Sequence, residues 1–325
     1  MVKEINKYVL MAVMAVLLCS CAEEMEETER AVQERILDAY VEVNCPSAQR
    51  WDSGIVMLES TKGTGDTLNK MESAFFDVTS KSLTGVYMET TDAELAKRLG
   101  WYSKSNHYSP EYYEIGAGSN FVGMEEVMYK MQVGGKATFI LPPWLTYYEG
   151  RAEVWNSSVS TIYEIELKEV VENMLTWQQD TMKAYANAHY PGLDTLKSNF
   201  YFKKLYDAGV TDTLTNESVS VRYVGRLLDG WVFDTNIADT AKKYGIYDSS
   251  NEYAALDVLY AEELDRMIED NSLVKGFCMA LKEMNYGDKA FTMFYSEYGY
   301  SSSGSDQIGP YQPLIFWLYI EPKEN

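Results

Sequence analysis

At 325 residues, 46% of them hydrophobic, the chain is long enough for two ordinary domains that each bury a core. A formal net charge of −21 argues against nucleic acid as a partner, because phosphate binding needs clustered Lys and Arg. The 26 tyrosines favour sheet faces and binding surfaces over a helical bundle.

The first residues read as a targeting segment. Lys3 and Lys7 precede an apolar run over 8–18, which is too short to span a bilayer comfortably. Leu18-Cys19-Ser20-Cys21 follows, and Cys19 lacks the small residue that precedes Cys21. This arrangement resembles the bacterial lipoprotein signal. The resemblance implies a signal peptide over 1–20, lipidation of Cys21, and a membrane association made through that lipid. The plain alternative is a secretory peptide. Glu23, Glu24, Glu26, Glu27 and Glu29 then form an acidic tether over 21–30. The expected location is the bacterial cell envelope, at the outer membrane, on its periplasmic face or at the cell surface. After maturation Cys45 and Cys278 remain. No CxxC occurs, so zinc-ribbon and thioredoxin-type sites lack support. Cys278 reads as a small core residue, and a Cys45 to Cys278 disulfide is left open.

The rest of the chain repeats itself. Gly85 recurs as Gly230, and the run 96–102 recurs as 241–247, at an offset of 145. From Gly123 and Gly276 through Tyr147 and Tyr300 the offset becomes 153. One step between two constant offsets means two copies of one domain, over 31–172 and 173–325, with an insertion near 261–271 in the second. Each copy is expected to open with a helix, over 31–43 and 177–188, stopped by Pro46 and Pro191. Strands follow over 53–60 and 198–206. In the second copy, 218–224 alternates as a strand and turns at Leu228-Asp229-Gly230 into Trp231-Val232-Phe233. A short helix over 237–244, a strand over 253–260, an insert helix and a main helix over 273–284 come next. Strands over 289–295 and 314–320 enclose a Ser- and Gly-rich loop over 301–309. The first copy ends in a strand over 161–170, and 173–179 begins the join. The fold class is α+β, with one antiparallel sheet wrapped around one main helix in each copy.

The second copy resembles the FKBP family of peptidyl-prolyl isomerases. The resemblance is carried by Val221-Arg222-Tyr223-Val224-Gly225-Arg226-Leu227-Leu228-Asp229-Gly230-Trp231-Val232-Phe233-Asp234-Thr235-Asn236, by Leu273-Val274-Lys275-Gly276-Phe277, and by Met284 with Gly287-Asp288-Lys289-Ala290. Tyr298-Gly299-Tyr300 and Leu314-Ile315-Phe316 complete it. It implies that Tyr223, Phe233, Phe277, Ile308 and Phe316 line a proline pocket, with Val274 and Ile308 contacting substrate. It also implies Asp234 at the rim and a Tyr300 hydroxyl offered to the substrate carbonyl. Phe277 stands where the family usually has Trp, and the loop 301–309 departs from the usual one. The implied partners are proline-containing unfolded or exported polypeptides, with neither metal nor cofactor. The alternative is a catalytically inactive FKBP-like lipoprotein acting as a chaperone or protein-binding module. Oligomeric state is not specified.

The first copy departs from this pattern. Val78 matches Tyr223, Met88-Glu89 matches Phe233-Asp234, and Met124 matches Phe277. Tyr147 and Tyr163 match Tyr300 and Phe316 and are expected to be its only aromatic pocket residues. A structural or binding role follows for this copy, since Met adapts to varied shapes. His107 and His189 are the only histidines, neither lies near a nucleophile elbow, and both read as surface residues.

Overall fold

The computed structural model describes residues 27–211 and 214–323, so the signal segment and Cys21 lie outside the described residues. Each copy opens on a helix, Glu29–Asn44 and Met174–His189. Thr28 and Asn173 sit at their N-caps, accepting hydrogen bonds from the amides of Ala31 and Thr176 and so satisfying donors the helix leaves free. Asn173 follows strand β7 (Thr161–Val171) almost at once, so the join expected over 173–179 is helix rather than linker.

The first copy then runs β1 (Gln49–Arg50), β2 (Val56–Thr61), β3 (Ser73–Ser82), β4 (Tyr87–Thr90), β5 (Glu111–Glu114), β6 (Lys136–Leu141) and β7. The second runs β8 (Thr195–Lys197), β9 (Phe200–Tyr206), β10 (Glu217–Arg226), β11 (Val232–Thr235), β12 (Leu256–Tyr260), β13 (Lys289–Phe294) and β14 (Leu314–Ile320). Their sheet orders match: β1-β2-β6-β7-β3-β4 with β5 on β3, and β8-β9-β13-β14-β10-β11 with β12 on β10. Every pairing is antiparallel. The strand expected from Ser53 starts at Val56, because Trp51 to Ile55 closes a turn around Gly54.

The repeated motifs have repeated physical causes. Gly100 and Gly245 end the short helices Ala93–Leu99 and Ala238–Tyr244 in the left-handed region, at φ 74° and 73°. The floor helices Val122–Met128 and Lys275–Leu281 lie on their sheets at a glycine. A Cβ at Gly123 would meet Leu141 at 2.4 Å, and one at Gly276 would meet the Phe294 ring at 2.4 Å. The second floor helix is shorter than the 273–284 expected: Val274 is its N-cap and Lys282 its C-cap. The insert helix Leu264–Asn271 turns Leu264, Met267 and Ile268 onto the core of its own copy.

Cys45 and Cys278 are free thiols in separate cores, and burial pushes Cys278 up to about 12. His189 is exposed and tilted against Tyr185. His107 corrects the expectation of a surface residue. Its side chain is 13% exposed, and its Nε2 lies 2.6 Å from Asp229 Oδ2 of the other copy. The copies meet further along the chain, where Phe75 stacks on Trp177 at 5.1 Å and Tyr112 packs on Tyr311 at 5.1 Å.

Asp288 ties the second sheet to the segment after β9 through a buried carboxylate. It is fully buried and takes Lys204 Nζ at 2.8 Å and the amides of Ala208 and Asn285 at 2.9 and 2.8 Å. Burial pushes its carboxyl up, but these three donors outweigh burial and hold it below its ordinary value. Its contribution is therefore fully present above the unfolded-chain value of about 3.8 and is lost as pH falls through the lower folded value. Asp288→Ala is expected to cost about 1–3 kcal/mol at pH 7, by leaving buried donors unpaired. Denaturant unfolding of the two proteins should show that difference at pH 7 and a smaller one in strong acid.

Candidate active site

Four rings meet at one end of the second sheet. Phe316 on β14 lies edge to face with Tyr223 on β10 at 6.3 Å, Phe233 on β11 at 5.6 Å and Phe277 on the floor helix at 5.2 Å. Tyr223 and Phe277 also meet edge to face, at 5.7 Å. Such pairs contribute beyond the area they bury. Phe277 and Phe316 are buried, whereas Tyr223 and Phe233 are half-buried. Gly225 makes this packing possible. It faces Phe316 on one neighbouring strand and Asp234 on the other, and a Cβ there would come within 2.6 Å of the Phe233 ring and 2.9 Å of Phe316.

Polar contacts hold the rim. Tyr223 donates its hydroxyl to Asp234 Oδ2 at 2.7 Å, and Asp234 is exposed. Burial first, and then the Asp234 charge, raises the hydroxyls of Tyr223 and Tyr300 above the ordinary tyrosine value, so both remain donors at neutral pH. Asn236 is nearly buried. It accepts the Tyr223 amide at 3.0 Å and donates to the Val221 carbonyl at 2.8 Å, while Thr235 donates to the Tyr223 carbonyl at 2.6 Å. These bonds fix the backbone that carries Tyr223.

Phe233, Asp234, Tyr300 and Ile308 carry the ring cluster out to a cleft of about 970 Å³. Ile308 is buried, held by a loop in which Ser305 N bonds the Ile308 carbonyl. Val274 is half-buried against the same core and accepts the Phe277 amide at 3.1 Å. Of the residues singled out for the second-copy pocket, Tyr223, Phe233, Phe277 and Phe316 form this cluster, Asp234, Tyr300 and Ile308 line the cleft beside it, and Val274 packs on the core without lining that cleft. Gly225 and Asn236 stand in the motif that carries the resemblance without having been assigned a role. A glycine in a strand interior was the available signal for the first.

In the first copy the equivalent positions are not equivalent in shape. A cavity of about 200 Å³ gathers Glu89, Met124 and Tyr163. Val78, on β3, is buried in the core of the first copy and Met88 is 50% exposed. Tyr147 does not line the cavity. Its neighbour Tyr148 does, tied through a strand bridge to Phe121, which also lines it. Tyr113, on β5, adds a further ring and donates to Glu111 at 3.0 Å. Tyr147 and Tyr163 are therefore not its only aromatic candidates: rings arrive from β5 and the helix approach, outside the motif positions. Burial first, then the Glu111 charge, raises the Glu89 carboxyl above its ordinary value. Ser80 stands where the second copy has Gly225, opposite Tyr163 and Glu89.

The family model for FKBP-type peptidyl-prolyl cis-trans isomerases matches residues 100–168 and 211–320, more than half of the chain. Its match to the first copy begins after the hairpin that carries Val78, Met88 and Glu89. Among solved structures, a peptidyl-prolyl cis-trans isomerase from Pseudomonas syringae pv. tomato is 25% identical, over 46% of this chain and 91% of that one, with a TM-score of 0.32. The three FKBP domains of wheat FKBP73 are 15% identical, over 83% and 95%, with a TM-score of 0.30. FkpA from Escherichia coli is 17% identical, over 51% and 71%, with a TM-score of 0.32. No curated protein matches. On the family model, the chain belongs to the FKBP-type peptidyl-prolyl cis-trans isomerase family.

Proposed function

We propose that the second copy is the working prolyl isomerase site and that a lipid at Cys21 tethers it to the cell envelope, where it assists the folding of exported polypeptides. The observation that carries the first part is the ring cluster of Tyr223, Phe233, Phe277 and Phe316 beside a rim that bears the Asp234 carboxylate and the Tyr300 hydroxyl. Rotation about an X-Pro bond must break amide resonance against a barrier of about 18–20 kcal/mol. The twisted imide has less double-bond character and less charge separation than the planar one. An aromatic, largely desolvated surface favours the twisted form over the planar, dipolar ground state, and only such differential binding accelerates the step. The prolyl ring would rest on Phe233 and Phe316 over the Phe277 floor. Tyr300 would donate to the substrate carbonyl, while Asp234, held by Tyr223, orients the chain at the rim. No proton needs to be transferred.

The first copy is the better candidate for a non-catalytic role. Ser80 in place of Gly225, and the outward Met88 in place of Phe233, remove the edge-to-face contact on which the prolyl ring would rest. The tether rests on the residues before the described region: Lys3, Lys7, the apolar run and Leu18-Cys19-Ser20-Cys21.

The test for the site is the refolding of a protein limited by an X-Pro bond, a process of tens of seconds or longer. The chain is expected to accelerate it, and Phe233→Ala to lower kcat/KM by at least about tenfold, equivalent to about 1.4 kcal/mol of lost differential binding. Because both tyrosine hydroxyls are raised, the wild-type rate constant should be flat from about pH 6 to 9. No acceleration by folded protein overturns the assignment. For the tether, Cys21→Ala expressed in a bacterium should move the chain from the membrane to the soluble fraction and abolish incorporation of labelled fatty acid. Labelling that persists overturns the Cys21 assignment.

A further inference from the structure

We propose that the first copy supplies one wall of the second copy's substrate site, so that the site grips several residues of an extended chain around the proline. The inference rests on the isomerase reading of that site. The cleft beside the ring cluster, at about 970 Å³, lies at the upper end of cavities of about 300–1,000 Å³ that enclose whole small ligands, and is larger than one prolyl residue requires. Ser105 of the first copy lines it, together with Tyr247, Asn251 and Tyr253 of the second. The two contributions are the same element twice. In residues 102–108 of the first copy Tyr102 stacks on Tyr108 at 5.4 Å, and the Tyr108 hydroxyl takes the Ser103 amide. In 247–253 of the second Tyr247 stacks on Tyr253 at 5.0 Å, and the Tyr253 hydroxyl takes the Asp248 amide. One loop from each copy thus reaches the same cleft.

The wall is fastened to the hairpin that carries Phe233. Trp231 donates its indole N–H to the Lys104 carbonyl at 3.2 Å, and His107 stacks on Trp231 at 4.7 Å while bonding Asp229. The Lys104 side chain packs on Gly245, where an added Cβ would meet it at 2.5 Å. On the far side, Tyr112 packs on Tyr311, just past the loop that carries Ile308. Between these two anchors runs a second cavity of about 360 Å³, lined by His107 and Tyr112 of one copy and Pro310 of the other. Gln307 lines both cavities, so the site continues into the groove between the copies. The occupant that fits is an extended, unfolded polypeptide with polar residues flanking its proline, since Ser105, Asn251 and Gln307 line its path beyond the rings.

The test compares the full chain with Ser105→Trp, which fills the wall from the first copy, on a short prolyl peptide and on an unfolded protein limited by an X-Pro bond. The ratio of kcat/KM for the protein substrate to that for the short peptide should fall at least about fivefold in the variant. Turnover of both substrates with an unchanged ratio overturns the inference while leaving the isomerase reading intact. A second measurement needs no variant: amide shifts of the full chain are followed on titration with a proline peptide long enough to fill the cleft. Amides of residues 103–109 should move with those of Phe233 and Tyr300. Shifts confined to the second copy, or no binding, overturn the shared wall. Shifts in both copies without turnover of either substrate would instead overturn the isomerase reading alone.

Discussion

The contact between floor helix and sheet, made at a glycine, is the constraint on which the site depends. Gly276 lets Lys275–Leu281 settle on Phe294 with no side chain between them, and the Phe294 ring in turn lies 5.9 Å from Phe316. That approach brings the next residue, Phe277, edge to face with Phe316. Phe316 then organises Tyr223 and Phe233 around itself, and Gly225 leaves the gap those rings need. A side chain at either glycine would move rings in a packed interior, where even one methyl is felt.

The same constraint with different side chains gives a different site. Gly123 seats the first floor helix on Leu141 in the same way, and the strand orders of the two sheets agree. Ser80, Met88 and Met124 nevertheless replace the glycine and two of the rings, and the cavity is rebuilt from Tyr113, Phe121 and Tyr148. The duplicated scaffold was kept where helix meets sheet and altered where a ligand would sit, which is the sense in which fold and function separate.

The two-copy architecture was legible in the sequence because the glycines that end helices and seat them on sheets recur at constant offsets, whereas the ring cluster was legible only through the resemblance carried by the motifs around Tyr223, Phe233, Phe277 and Phe316. The final strand Leu314–Ile320 needed only its run of apolar residues. Boundaries at Ser53 and in the floor helix were less legible, since Gly54 and the caps at Val274 and Lys282 act through local backbone geometry. His107 was misread for a different reason. A histidine in a polar loop has no local signature of burial, and its partners Asp229 and Trp231 stand far along the chain in the other copy. Tyr147 was misplaced because a constant offset carries over position but not which of two adjacent tyrosines turns inward.

The measurement that tests the central claim most directly is exchange NMR on a proline-containing peptide, with the full chain present in catalytic amount. Uncatalysed, the cis and trans forms interconvert too slowly to give exchange peaks on that timescale. The account predicts exchange peaks between the two proline signals with wild-type protein and their loss with Phe316→Ala, which removes the ring at the centre of the cluster. Absent exchange with folded wild-type protein, or exchange that survives in a folded Phe316→Ala variant, would contradict it.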